Sequence, residues 1–150
     1  MSIFTSPLWA SRMLSVLRIV AALNFITHGT SKLFQYPPFP PGIPAMTFPV
    51  TSLPGFAGVI EIIGGTLLLF GLFTRPVAFI HSGEMAVAYF MVHFKNAFWP
   101  VTNMGEAAVL YCFIWLYFAF AGGGEWSLDR VIARRRSVPR PVGASLPARV

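Results

Sequence analysis

Charge is scarce in this sequence: Asp, Glu, Lys and Arg together supply 11% of 150 residues. A soluble domain carries about 25%, because a water-facing surface needs ionised groups. With more than half of the chain apolar, the solvent that fits it best is lipid. Cysteine is scarcer still. The single Cys112 excludes an intramolecular disulfide, a CxxC redox pair and a thiolate zinc site, and no metal site is expected. Any redox role must use a bound cofactor, a partner's thiols or an intermolecular bond through Cys112. That residue sits inside an apolar run, where cysteine serves as a small core side chain. The first residues, MSIFTSPLWASRML, lack a compact basic start, a following apolar stretch and an A-x-A site. They read as an amphipathic lead-in to an uncleaved first span.

The net charge of +6 is unevenly placed. Arg130, Arg134, Arg135, Arg136, Arg140 and Arg149 crowd the C-terminus, and the other basic residues stand singly in apolar sequence. A basic tail on an apolar body fits positive-inside topology and anionic headgroups. There is no folded basic module of the kind that binds nucleic acid, so no nucleic-acid partner is expected.

Apolar stretches near the ~20 residues that cross a bilayer as a helix lie at about 13–34, 55–73, 76–94 and 105–122. They predict an all-α membrane protein, a four-helix transmembrane bundle within residues 1–129. Tyr36 to Pro54 holds most of the thirteen prolines and is excluded from regular helix, since proline lacks the amide donor. Thr74-Arg75-Pro76 reads as a tight turn that makes spans two and three an antiparallel hairpin. Arg12, Arg75 and the tail fall on one side, Lys32 and Lys95 towards the other. That places both termini in the cytoplasm and the proline-rich loop outside. After Gly122-Gly123-Gly124, residues 127–136 predict a short cytoplasmic surface helix with Ser127 as N-cap. Residues 137–150 predict a disordered basic tail.

Ionisable groups inside spans cost about 2.5–3.5 kcal/mol each on insertion scales, so each needs a partner. On span one Arg18, Ala21, Phe25, His28 and Lys32 form one stripe; on span two Gly58, Glu61 and Gly65 share a face. His81 and Glu84 are i, i+3 on span three. Glu106 leads span four, followed on its face by Leu110, Phe113 and Tyr117. Depth sorts these into an outer layer (His28, Lys32, Glu61, Glu106) and an inner one (Arg18, His81, Glu84). The outer layer reads as a ligand pocket, with helix-register locking as its rival; the inner Arg18–Glu84 pair reads first as structural. Haem is disfavoured, because His28 and His93 have no axial-ligand spacing.

These residues, in this order, resemble the DoxX family of small bacterial membrane proteins. The likeness covers about Leu14 to Asp129. It is carried by Arg18, Gly29-Thr30-Ser31-Lys32-Leu33, Glu61-Ile62-Ile63-Gly64-Gly65, Leu69 to Pro76 (LFGLFTRP), Gly105-Glu106-Ala107-Ala108 and Ser127-Leu128-Asp129. It implies a four-helix fold in the bacterial inner membrane. It also implies an association with oxidoreductase systems, since the related DoxD proteins are subunits of thiosulfate:quinone oxidoreductase. The expected function is therefore a multi-pass membrane component of an oxidoreductase system that binds a quinone or a redox partner protein. On that reading Lys32 or His28 would hydrogen-bond a quinone carbonyl while Glu61 or Glu106 handles protons. A non-catalytic membrane anchor or assembly factor is the second reading, and a small transporter or lipid-binding protein the third. The glycine-rich face of span two suits helix pairing within the chain or between copies in an oligomer.

Overall fold

A computed structural model describes residues 6–39, 41–42 and 45–137. Among these the chain forms six α-helices and no strand: α1 Pro7–Phe34, α2 Leu53–Phe70, α3 Thr74–Ala88, α4 Pro100–Asn103, α5 Glu106–Ala121 and α6 Leu128–Ser137. The expected all-α class holds for the described residues. A π-helical segment, Tyr89–His93, continues α3. α1 and α2 are long and apolar enough to cross a bilayer, and α5 is a shorter apolar helix. The tail expected at 137–150 lies, beyond Ser137, outside the described residues.

Local chemistry sets the helix ends. Ser6 and Ser52 cap α1 and α2, each side chain accepting an amide from the first turn, Trp9 at 3.4 Å and Gly55 at 3.2 Å. A proline follows each cap within the first turn, where its missing donor costs nothing. α2 stops at Gly71, whose φ of +67° is a left-handed conformation that favours glycine. The first turn of α3 takes its cap from far along the chain: the amides of Phe73 and Thr74 donate to the Asp129 carboxylate at 2.9 and 2.8 Å.

Small residues let α1 and α2 lie close. A Cβ on Gly29 would stand 2.6 Å from the Gly58 carbonyl oxygen, and one on Gly65 would stand 2.9 Å from the Ile26 side chain. Such contact replaces the hydrophobic drive that lipid removes. α3 packs against α2 and α5. The core lies where the long helices meet: Phe25 of α1 sets its ring edge-on to His81 of α3 and to Tyr111 and Trp115 of α5, at centroid distances of 4.8 to 5.1 Å. Outward faces carry large exposed apolar side chains such as Val20, Ile63, Phe79 and Phe113, a surface that lipid solvates and water does not.

The start of α1, the α2–α3 turn and α6 gather at one end, here the tail end. The Glu125 amide reaches Ser11 O at 3.2 Å, the Trp126 amide reaches Ser15 Oγ at 3.0 Å, and the Asp129 amide reaches Gly71 O at 2.9 Å. The described residues of the 35–52 connection, the π segment and α4 form the opposite, loop end.

Candidate functional site

Lys32, in the last turn of α1, meets Glu61 of α2 with Nζ to Oε1 at 2.6 Å. The two come together because Gly58, one turn before Glu61, has only hydrogen where a Cβ would press on Lys32 Cβ at 3.3 Å. The Glu61 side chain is 2% exposed and that of Lys32 is 23% exposed. The pair is therefore sealed on the carboxylate side and open on the ammonium side. Glu61 Oε2 is buried without a hydrogen-bond partner among the described residues, so half of the carboxylate's accepting capacity is unused there.

Glu84 of α3 belongs to the same constellation. It lines the same groove as Lys32. Its Oε2 is 2.8 Å from His81 Nδ1, while its Oε1 is buried and has no partner among the described residues. His81 is fully buried, and its Nε2 also lacks a partner because it faces Gly64, whose Cβ would sit 2.4 Å away. Lys32 and Glu84 both open into a groove of about 390 Å³ between α2 and α3. Its walls are apolar: Leu53, Phe56, Ala57 and Ile60 from α2 face Ile80, Val87 and Ala88 from α3 and Met91 and Val92 from the π segment. A π segment widens a helix by one residue per turn and often marks functional positions. Here it forms the upper wall of the groove.

Four residues depart from the expected layers. Arg18 does not pair with Glu84. Its guanidinium is fully buried and donates to four carbonyl groups: Gly123 at 2.9 Å, Leu69 and Trp126 at 2.7 Å each, and Leu68. Those carbonyls end α2 and start the link to α6, so Arg18 ties three segments at the tail end. Its fork of donors suits orphan helix-end carbonyls. Glu84 lies with the outer group instead, because Glu61 precedes and Glu84 follows the Leu72–Phe73 turn by the same eleven residues. Glu106 is exposed at the first turn of α5, and Leu110, Phe113 and Tyr117 on its face are exposed too. α5 is apolar on all sides, so its periodicity names no inward face; Trp115 and Phe118 turn inward. His28 is exposed and makes no hydrogen bond or ion pair among the described residues.

The expected outer layer thus contracts to Lys32 and Glu61, and the structure adds Glu84 with His81. The turn expected at Thr74-Arg75-Pro76 lies instead at Leu72–Phe73, those three residues forming the first turn of α3, and this shift is what brings Glu84 level with Glu61. The groove itself had none, since its walls read as ordinary apolar sequence. Among the described residues no group of three or more His, Cys, Asp or Glu is placed to hold a metal ion.

Comparison with known proteins gives the following. The DoxX family model matches residues 13–94, a segment that contains Arg18, His28, Lys32, Glu61, His81 and Glu84 and stops before Glu106. An uncharacterised protein of Haemophilus influenzae is 48% identical over 120 residues, covering 77% of this chain and 87% of its own. The membrane protein Rv3486 of Mycobacterium tuberculosis is 29% identical over 136 residues, covering 79% of this chain and 80% of its own. The inner membrane protein YqjF of Escherichia coli is 29% identical over 120 residues, covering 80% and 92%. No solved structure matches the chain.

Proposed function

The chain belongs to the DoxX family, and on that premise we propose that it is a four-span protein of the bacterial inner membrane that holds a quinone in the α2–α3 groove as the membrane component of an oxidoreductase system. Membrane residence is supported by the names of the Mycobacterium and Escherichia relatives and by the apolar outer faces. Beside α1 and α2, the continuous helix Thr74–His93 joins 15 α-helical and 5 π-helical residues, roughly the 30 Å of a hydrocarbon core. α5, at 16 residues, spans with help from α4. Arg12, Arg75 and the α6 arginines mark the tail end as cytoplasmic.

One observation carries the ligand reading: a buried Lys–Glu pair, its lysine open to an otherwise apolar groove that also receives Glu84. The residues fit a quinone. An apolar cleft accepts a ring and isoprenoid tail, while the Lys32 ammonium and the Glu84 carboxylate, the two charged groups that open into it, meet the polar head. A bound quinone supplies two-electron, two-proton redox chemistry. Lys32 Nζ donates a hydrogen bond to a carbonyl oxygen, held in place by Glu61. Glu84 accepts or returns a proton at Oε1, with His81 fixing its other oxygen. The hydrophobic walls exclude water from that exchange.

The test is quinone retention by protein released gently from its own membrane, followed by native mass spectrometry. Wild type should carry the quinone, and Lys32→Ala and Glu84→Gln should each lose most of it. A wild-type protein that holds no quinone when supplied in excess would overturn the reading, and so would full retention in Lys32→Ala.

A further inference from the structure

A second cavity, at the tail end, is not used by the reading above. α1 packs on α2 and α5 packs on α3, and between α1 and α5 a slot of about 470 Å³ remains where α6 crosses beneath them. Leu14 of α1 and Tyr117 and Ala121 of α5 form its apolar sides; Ser11, Ser127 and Arg130 give it a polar floor. We propose that this slot holds one anionic phospholipid of the inner leaflet, with an acyl chain along the α1–α5 seam and its headgroup phosphate at the arginines of α6.

Three independent features point to that occupant. The first is charge: residues 125–136 contain four arginines against Glu125 and Asp129. Asp129 is engaged in capping α3, and Glu125 is paired with Arg130 and Arg134. Arg135 and Arg136 are exposed at the end of the helix, and each basic group near a membrane surface draws anionic lipid. The second is the face of α6. Its docking side carries Asp129, Arg130 and Ala133, the residues that meet the slot. Leu128, Val131 and Ile132 are exposed around the other side. A short helix with apolar residues on one side and arginines at its end lies in the headgroup layer. The third is depth. Trp9 and Trp126 are both half-exposed at this end, with the Arg12 guanidinium 4.9 Å over the Trp9 ring. Tryptophan and arginine together mark the level of the headgroups. A free phosphate would use the arginines and leave the apolar sides uncovered, so a lipid is the occupant that matches both surfaces.

The test titrates detergent-solubilised protein with phosphatidylglycerol and, separately, with phosphatidylcholine, reading bound lipid by native mass spectrometry. Wild type should bind phosphatidylglycerol in preference. Ala121→Trp, which fills the slot from the exposed end of α5, should remove binding of both lipids. Arg135→Gln with Arg136→Gln should weaken phosphatidylglycerol by about thirtyfold, at the usual contribution of a surface arginine, and leave phosphatidylcholine unchanged. Equal binding of the two lipids by wild type would overturn the proposal. Undiminished phosphatidylglycerol in both variants would do the same, and if Ala121→Trp fails to fold, Ala10→Trp fills the slot from α1 and decides in its place. Quinone retention is measured in the same samples, so failure here is distinguishable from failure at the groove.

Discussion

Lys32 and Glu61 show how a single buried charge constrains its partner. Removing Lys32 alone leaves a carboxylate 2% exposed with no counter-charge, a change that costs on the order of 3–5 kcal/mol. Lys32→Met combined with Glu61→Gln removes the charge with its partner and should recover most of that loss. Unfolding titrations in mixed micelles would check this, and equal destabilisation of the single and double variants would contradict it. Gly64 is constrained differently. A Cβ there would stand 2.4 Å from His81 Nε2, so its absence leaves room for the ring. Gly64→Ala should therefore destabilise by about 1–3 kcal/mol and loosen the His81–Glu84 contact, visible as a shifted histidine resonance by NMR. An unshifted resonance would mean that the ring has other room. Lys32 and Glu61 were legible as members of one layer, with His28 and Glu106 as equal candidates, since depth along antiparallel spans groups charges without choosing pairs. The partners of Arg18 were not, because they are backbone carbonyls, which every residue possesses.

Elements show a different dependence on distance along the chain. α3 begins on a carboxylate that lies more than fifty residues later, as Asp129 accepts the amides of Phe73 and Thr74. Asp129→Ala should cost about 1 kcal/mol, the usual value of a lost helix cap, and speed hydrogen exchange at Phe73 and Thr74. Unchanged exchange at those two amides would show that solvent or another group caps α3 equally well. Among the described residues Glu106 has no side-chain hydrogen bond or ion pair, and in the first turn of α5 it acts through the helix dipole, a contribution of about 0.3–1 kcal/mol. Glu106→Gln should accordingly leave quinone retention at the wild-type level, and a marked loss would return it to the site. The helices themselves were readable as apolar stretches bounded by Pro, Ser and Gly. The inward face of α5 was not, because a helix apolar on all sides carries no periodic signal.

At the scale of the molecule, the proposed topology makes a direct prediction. With Cys112 replaced by alanine, a cysteine placed at Thr47 should react with a membrane-impermeant maleimide in intact cells. One placed at Arg135 should react only after the membrane is opened. Reaction at both positions in intact cells would invert or break the topology. The two cavities divide the molecule in the same sense, the groove opening towards the loop end and the slot lying at the tail end. Arg18 and Asp129 tie the tail end together through bonds that do not touch the groove.

The sequence alone determined the solvent of this protein, its helical class and the ends of most helices. It also determined that a lysine near the end of α1 would meet a carboxylate. These follow from composition, hydropathy and capping chemistry, all local along the chain. Tertiary structure decided which carboxylates share a level, which faces of apolar helices turn inward, and that Arg18 fastens carbonyls and leaves Glu84 to His81. Those outcomes depend on how closely glycine-bearing helices approach one another and on where a turn reverses the chain. Such relations exist only between elements, and no single stretch of sequence contains them.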